Sequence, residues 1–168
     1  MNFARVIESM NEMVGKICSL LIPPLFGIIL LEVGLRYFFN SPTSWVHESS
    51  GYILAAYSVL TGGYALLHNS HVNVDILYSR FSPKIKSTIS LFTWPLFFYY
   101  LAVIIWRTGE SSIFSIQIWE RSPSVWGPVF WPIRLLIPIG SIFILLQGLV
   151  QFMDNLYFIF KGEKFIKK

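Results

Sequence analysis

The sequence predicts an all-α membrane protein with four transmembrane helices, and three observations lead there. Of 168 residues, 54% are hydrophobic and 13% charged, where a soluble domain carries about 25% charged residues. The mean hydropathy is +0.59. Four apolar stretches, each long enough to cross a bilayer as a helix, fall near residues 17–36, 48–67, 87–107 and 131–153 of a single domain covering 1–168. The 15 Phe, 8 Tyr and 6 Trp suit apolar spans with aromatic belts at the two interfaces.

The net charge is +4, but the basic residues cluster at the ends of apolar runs, where membrane topology explains them better than nucleic acid does. The single cysteine, Cys18, excludes an internal disulfide and a CxxC pair, and reads as a small buried hydrophobe. Arg5 and Lys16 before an apolar run resemble a signal peptide. The run is too long for one and lacks a small-residue cleavage site, so it reads as an uncleaved first span.

Residues 1–15 place Phe3, Val6, Ile7, Met10, Met13 and Val14 at helical spacing, which predicts either a short helix lying at the membrane surface or a cytosolic extension of the first span. Pro23 and Pro24 predict a kink in span 1, which Glu32 and Arg36 close. In the first loop Ser41 is the expected N-cap and Pro42 the first helical residue. Trp45 belongs at the interface, and Glu48 at the positive end of the span 2 dipole.

Span 2 carries a seam of small residues at steps of three and four, Gly51, Ala55, Ser58, Gly62 and Ala65. Such seams let helix backbones approach closely in lipid, where packing drives association. The polar interval 66–81 follows, with His68, His71 and Asp75. Ser82-Pro83 then starts span 3, whose far end is expected at Arg107 and Glu110. The loop 108–130 holds Trp119 and Trp126, and its apolar middle (Ile113, Phe114, Ile116, Ile118) is suited to a membrane surface or another subunit. Span 4 begins near Trp131, with Arg134 and Pro138 early in it.

Orientation follows from counting basic residues. Arg5, Lys16, Arg80, Lys84, Lys86, Lys161, Lys164, Lys167 and Lys168 lie on one side, nine in all, against four on the other, Arg36, Arg107, Arg121 and Arg134. The positive-inside rule then places both termini and the central loop in the cytoplasm.

Little in the sequence points to catalysis. Axial haem ligation needs histidines within spans, whereas His47, His68 and His71 sit at loops and span ends. His68-x-x-His71 has no third ligand nearby and reads as loop polarity. Gly62-Gly63 lies inside a span and reads as packing, not as a nucleotide loop. No cofactor and no enzymatic activity are expected. Charges near membrane depth are functional candidates by default, and Glu32, Arg36, Glu48, Arg107, Glu110 and Arg134 are such groups. They lie at outward span ends, not at the midplane where transporters bind substrate, so they read as ion pairs that lock helix ends. Glu32 and Arg134 are expected at one depth, with Glu32 shared between Arg36 and Arg134. Four spans without an inverted repeat make a poor self-sufficient pump and imply an accessory subunit. The rival readings are a small exporter working through Glu32 and a structural protein unrelated to transport.

The runs LRYFFNSPTSWVHE (35–48), GGYALLHNSHVNVDILYSRF (62–81) and SPSVWGPVFWPIRLLIPIG (122–140) resemble the small membrane subunit, of DctQ type, of tripartite ATP-independent periplasmic (TRAP) transporters. The shared features are an Arg-Tyr-aromatic exit from helix 1, a Trp and acidic opening of helix 2, and its glycine–alanine end. A loop with His71 and Asp75 and a proline-bracketed entry to helix 4 complete the pattern. His47-Glu48 stands where the family has an acidic pair, and Gly51-Tyr52 replaces a basic residue. The resemblance implies a subunit of the bacterial inner membrane, in contact with lipid. Its partners would be a large multi-helix membrane subunit and a periplasmic substrate-binding protein. It also implies sodium-driven uptake of an organic acid, of sialic acid or C4-dicarboxylate type, with substrate and sodium sites in the large subunit.

The charge split makes a direct prediction. Cysteines placed at Ser111 and at the C-terminus should label oppositely with an impermeant maleimide on intact cells, Ser111→Cys reacting and the tail not. Labelling of the tail alone would invert the topology.

Overall fold

A computed structural model describes residues 2–68 and 83–161, and these are helix and turn apart from one isolated bridge between Arg121 and Val129. The helices are α1 (Asn2–Ser19), α2 (Ile22–Phe38), α3 (Val46–Leu60), α4 (Gly62–Leu67), α5 (Pro83–Gln117) and α6 (Trp131–Lys161). Three stretches among the described residues are long and apolar enough to cross a membrane: Phe3–Phe38, Val46–Leu67 and Trp131–Ile159. Two of the residues singled out in the sequence, His71 and Asp75, lie outside the described residues.

Several boundaries differ from the sequence expectation, each for a local reason. The chain breaks at Leu20-Leu21, ahead of the prolines rather than at them, and Pro23 and Pro24 occupy the first turn of α2. There a missing N–H costs nothing, because first-turn donors have no partner within the helix. Helix α3 starts at Val46, not at Pro42, and Trp45 at its N-cap makes no side-chain cap. Residues 40–45 form a loop instead, entered through Asn40 at φ 50°, a left-handed conformation that Asn tolerates better than most residues. Arg107 and Glu110 do not end their helix, since α5 runs on to Gln117.

Helix α1 divides its surface three ways. Ala4, Ile7, Asn11, Gly15 and Cys18 are buried, at the three- and four-residue spacing of one helix face. Phe3, Val6, Met10, Met13 and Ile17 form an exposed apolar face, and Arg5, Glu8, Glu12 and Lys16 a polar one. The periodicity expected of a surface helix therefore splits, with Ile7 turned inward. Helix α1 packs on α4, α6 and α3 rather than resting on lipid alone.

Helix α6 is the common partner: it packs against α5, α4, α3 and α1, while α2 packs on α3. The described helices thus stand in the order α2, α3 with α4, α6, α5. At one edge α2 buries no residue at all. Close approach at the centre depends on glycine. A Cβ on Gly62 would overlap the Ile144 side chain, and one on Gly140 would overlap the backbone of Val59. Between α5 and α6, Gly148 admits Phe97, and Trp94 stacks on Phe98 at 5.5 Å and meets Phe152 edge-on at 6.1 Å. The small seam of span 2 is therefore divided. Gly62 packs on α6, whereas Gly51 faces open space and Ser58 is exposed.

These contacts rank substitutions. Gly140→Ala meets backbone that cannot yield, and should destabilise the purified subunit by about 1–3 kcal/mol, the usual cost of overpacking. Gly62→Ala meets the end of a flexible Ile144 side chain and should cost less, and Gly51→Ala close to nothing. Thermal unfolding in detergent checks the order, and equal effects at Gly51 and Gly140 would contradict it.

Candidate functional site

The polar groups at one end of the molecule form three staples between helices. In the first, Glu32 accepts from Arg36 through Nη2 at 2.7 Å and Nε at 3.2 Å on one oxygen. On the other it accepts from the Thr43 amide at 3.1 Å and hydroxyl at 2.5 Å. Four donors fill the acceptor sites of one carboxylate. The staple ties the end of α2 to the 40–45 loop, and the Glu32 side chain is 13% exposed.

The second staple joins the start of α3 to the 118–130 segment. Glu48, in the first turn of α3, accepts from the Ser124 hydroxyl at 2.5 Å and the Tyr52 hydroxyl at 3.3 Å. Tyr52 also meets Phe130 edge-on at 6.0 Å.

The third staple is centred on Arg134. Its Nη2 donates to Glu120 at 2.7 Å and its Nη1 to the Ser111 hydroxyl at 2.8 Å. Its guanidinium lies over the Phe130 ring, 5.2 Å from the centroid. The buried Ser112 hydroxyl is shared between the Thr108 carbonyl of its own helix at 2.6 Å and the Arg134 carbonyl at 2.9 Å, a contact that sets the register of α5 against α6. The structure thus gives Arg134 to Glu120 and not to Glu32. Sequence reasoning placed both charges at outer span ends, but their helices are separated by α3. Glu120 was missed, although Glu120 and Arg134 are the charged residues nearest the two ends of one loop.

That loop is a hook. Its ends pair through Phe130 N–H to the Glu120 carbonyl at 2.8 Å and Ser122 N–H to the Pro128 carbonyl at 2.9 Å, and it turns at Gly127, φ 58°. Helix α5 ends in a Schellman pattern, Glu120 N–H to the Ser115 carbonyl and Trp119 N–H to the Ile116 carbonyl. The left-handed position that glycine usually fills there is held by Trp119, φ 48°. For a bulky residue that conformation costs about 1–2 kcal/mol. The Trp119 side chain is 66% exposed and meets Trp131 edge-on. Trp45 and Trp126 are also exposed.

At the other end, polar groups dock α1. Asn11 donates to Gln147 at 3.0 Å and to the Ile7 carbonyl at 3.1 Å. Glu12 bridges Lys16 at 3.2 Å and His68 at 2.8 Å, and Gln151 donates to the Leu66 carbonyl. Among the described residues no three of His, Cys, Asp and Glu come together as a metal site requires. An open groove of about 300 Å³ between α1 and the α3–α4 stretch is lined by Lys16, Tyr57, Thr61 and Tyr64. The carboxylates of the staples hold helix ends and the loops beside them.

An all-helical chain with membrane-capable stretches, cross-tied by part-buried ion pairs, is a membrane-embedded component rather than a water-soluble domain. The model of the DctQ component of tripartite ATP-independent periplasmic transporters matches residues 25–157, and the chain belongs to that family. It is a small membrane subunit of a transporter assembled from several parts. Comparison with curated proteins gives no match.

The staples differ in their surroundings, and so should their mutants. Arg134→Leu leaves the part-buried Glu120 carboxylate without its cation and should lower subunit stability by about 1–3 kcal/mol. Arg36→Leu removes a 57% exposed cation from a carboxylate that keeps both Thr43 donors, and should cost about 0–1 kcal/mol. Detergent melting curves of the two variants test this, and a larger loss from Arg36→Leu would reverse the ranking.

Proposed function

We propose that the chain is the accessory, scaffolding subunit of a TRAP transporter in the bacterial inner membrane. In this reading it crosses four times, with α5 the remaining crossing, and both termini are cytoplasmic. It braces a large multi-helix transport subunit and faces a periplasmic protein that delivers an organic acid, of sialic acid or C4-dicarboxylate type. A sodium gradient drives uptake through the large subunit.

The observation that carries this reading is the saturation of Glu32. A carboxylate that carries a proton or an ion through a membrane must exchange partners, and Glu32 is held by four donors from Arg36 and Thr43. This disfavours a self-contained exporter, for which Glu32 was the candidate. The edge position of α2, with no buried residue, supports a scaffold that completes its packing elsewhere.

The tagged chain, expressed with its neighbouring genes, should retain a large membrane subunit at one-to-one stoichiometry through purification in mild detergent. Recovery of the chain as an isolated species that transports by itself would overturn the proposal.

A further inference from the structure

Contacts between neighbouring helices set their relative heights. Val59 meets Gly140 and Gly62 meets Ile144, which levels the α3–α4 stretch with α6. The Ser112 hydroxyl bonds the Arg134 carbonyl and Phe97 meets Gly148, which levels α5 with α6. The uncharged stretches of the three are residues 49–67, 135–153 and 87–106.

On the α6 scale, residue 49 lies ten positions outward of 59 and falls level with 130. The α6 stretch itself starts at 135. Residue 106 lies six positions inward of 112 and falls level with 140. The inner ends shift alike, to levels 148, 153 and 159. The stretches are therefore displaced in one direction by about five residues per step, or about 7 Å at a rise of about 1.5 Å per residue. Across helices about 8–10 Å apart, that is an inclination of about 40°, at the upper end of the range for membrane helices.

An upright insertion would instead put Arg107 level with Val59, at the middle of the α3 stretch. Arg107 and its partner Glu110 are widely exposed there, at 78% and 66%, and charged side chains in lipid are strongly disfavoured unless they face protein or water. The inclined row brings both to the outer boundary.

We infer that the helices cross the bilayer obliquely, so that the last turns of α5 and the 118–130 hook stand clear of the lipid as an apolar docking knob for a soluble protein. The inference rests on the orientation and the tripartite assembly proposed above. Beyond Arg107 the knob exposes Ile113, Phe114, Ile116, Ile118, Trp119 and Val125, the last at 96%. In an inclined row the hydrocarbon core does not reach these groups. In the orientation proposed above they stand on the side of the soluble component of the tripartite assembly, and that component is the occupant. Contiguous apolar surface in water marks protein contact sites. The frame is rigid, since the Arg121–Val129 bridge, the Arg134–Glu120 pair and the Glu48–Ser124 bond hold it. It also keeps Trp119 in a left-handed conformation with its ring outward, and retained strain of this kind clusters at functional positions.

The test uses the assembled complex in nanodiscs, in a Cys18→Ser background. Ile113→Cys and Val125→Cys should react with an impermeant maleimide and Val103→Cys should not. The transporter's own soluble binding protein should bind the double variant I113D/F114D at least tenfold more weakly than wild type. Assembly with the large subunit should be unchanged, because both side chains lie beyond Arg107, outside the spans through which membrane subunits pack. An unreactive Ile113→Cys would place the knob in lipid and overturn the inference. So would labelling as expected with undiminished binding, or a change in the number of copies of this chain per complex. A wild-type complex that binds no soluble protein would contradict the tripartite reading itself, and the docking surface would fall with it.

Discussion

The approach of α6 to the α3–α4 stretch is the contact on which the remaining packing depends. It is made backbone to backbone where Gly140 lies on Val59 and Gly62 on Ile144. In lipid no hydrophobic effect draws helices together, so dispersion between closely fitted surfaces must do so. Once these two helices are fixed, each other element has a place on one of them. Helix α5 adds an aromatic interlock around Trp94, α1 lies across the end near Gly63, and α2 attaches through α3. No closed bundle results among the described residues, and the molecule has little interior of its own.

The helical class, three membrane-capable stretches among the described residues and the family were legible in the sequence because each is written in composition, run length or local order. The Glu32–Arg36 pair was legible for the same reason, being one turn apart on one helix. What depended on contacts across the fold was not. Arg134 matched Glu32 in expected depth, but depth along the chain does not say which helices are neighbours. The hook that brings Glu120 to Arg134 depends on a helix ten residues longer than its charges implied. The seam of span 2 had the right period but only part of the right face. Gly63 and Gly140, outside that seam, make two of the tightest approaches.

The polar residues divide into groups that close the chain on itself and surfaces that it leaves open. Glu32, Glu48, Arg134, Asn11 and Gln147 bond to neighbouring helices or loops of the same chain. The open surfaces are apolar: the flank of α2, the outer stripe of α1, and the end of α5 with its hook. Apolar faces that look outward in this way are the physical basis of the scaffolding role proposed above.

The central claim, that this subunit supports transport without performing it, is tested most directly by uptake into proteoliposomes. Vesicles holding the chain alone, under an imposed sodium gradient and supplied with the binding protein and its organic acid, should accumulate nothing above empty vesicles. Vesicles holding the chain with the large subunit should accumulate the acid. Sodium-dependent uptake by the chain alone would contradict the account.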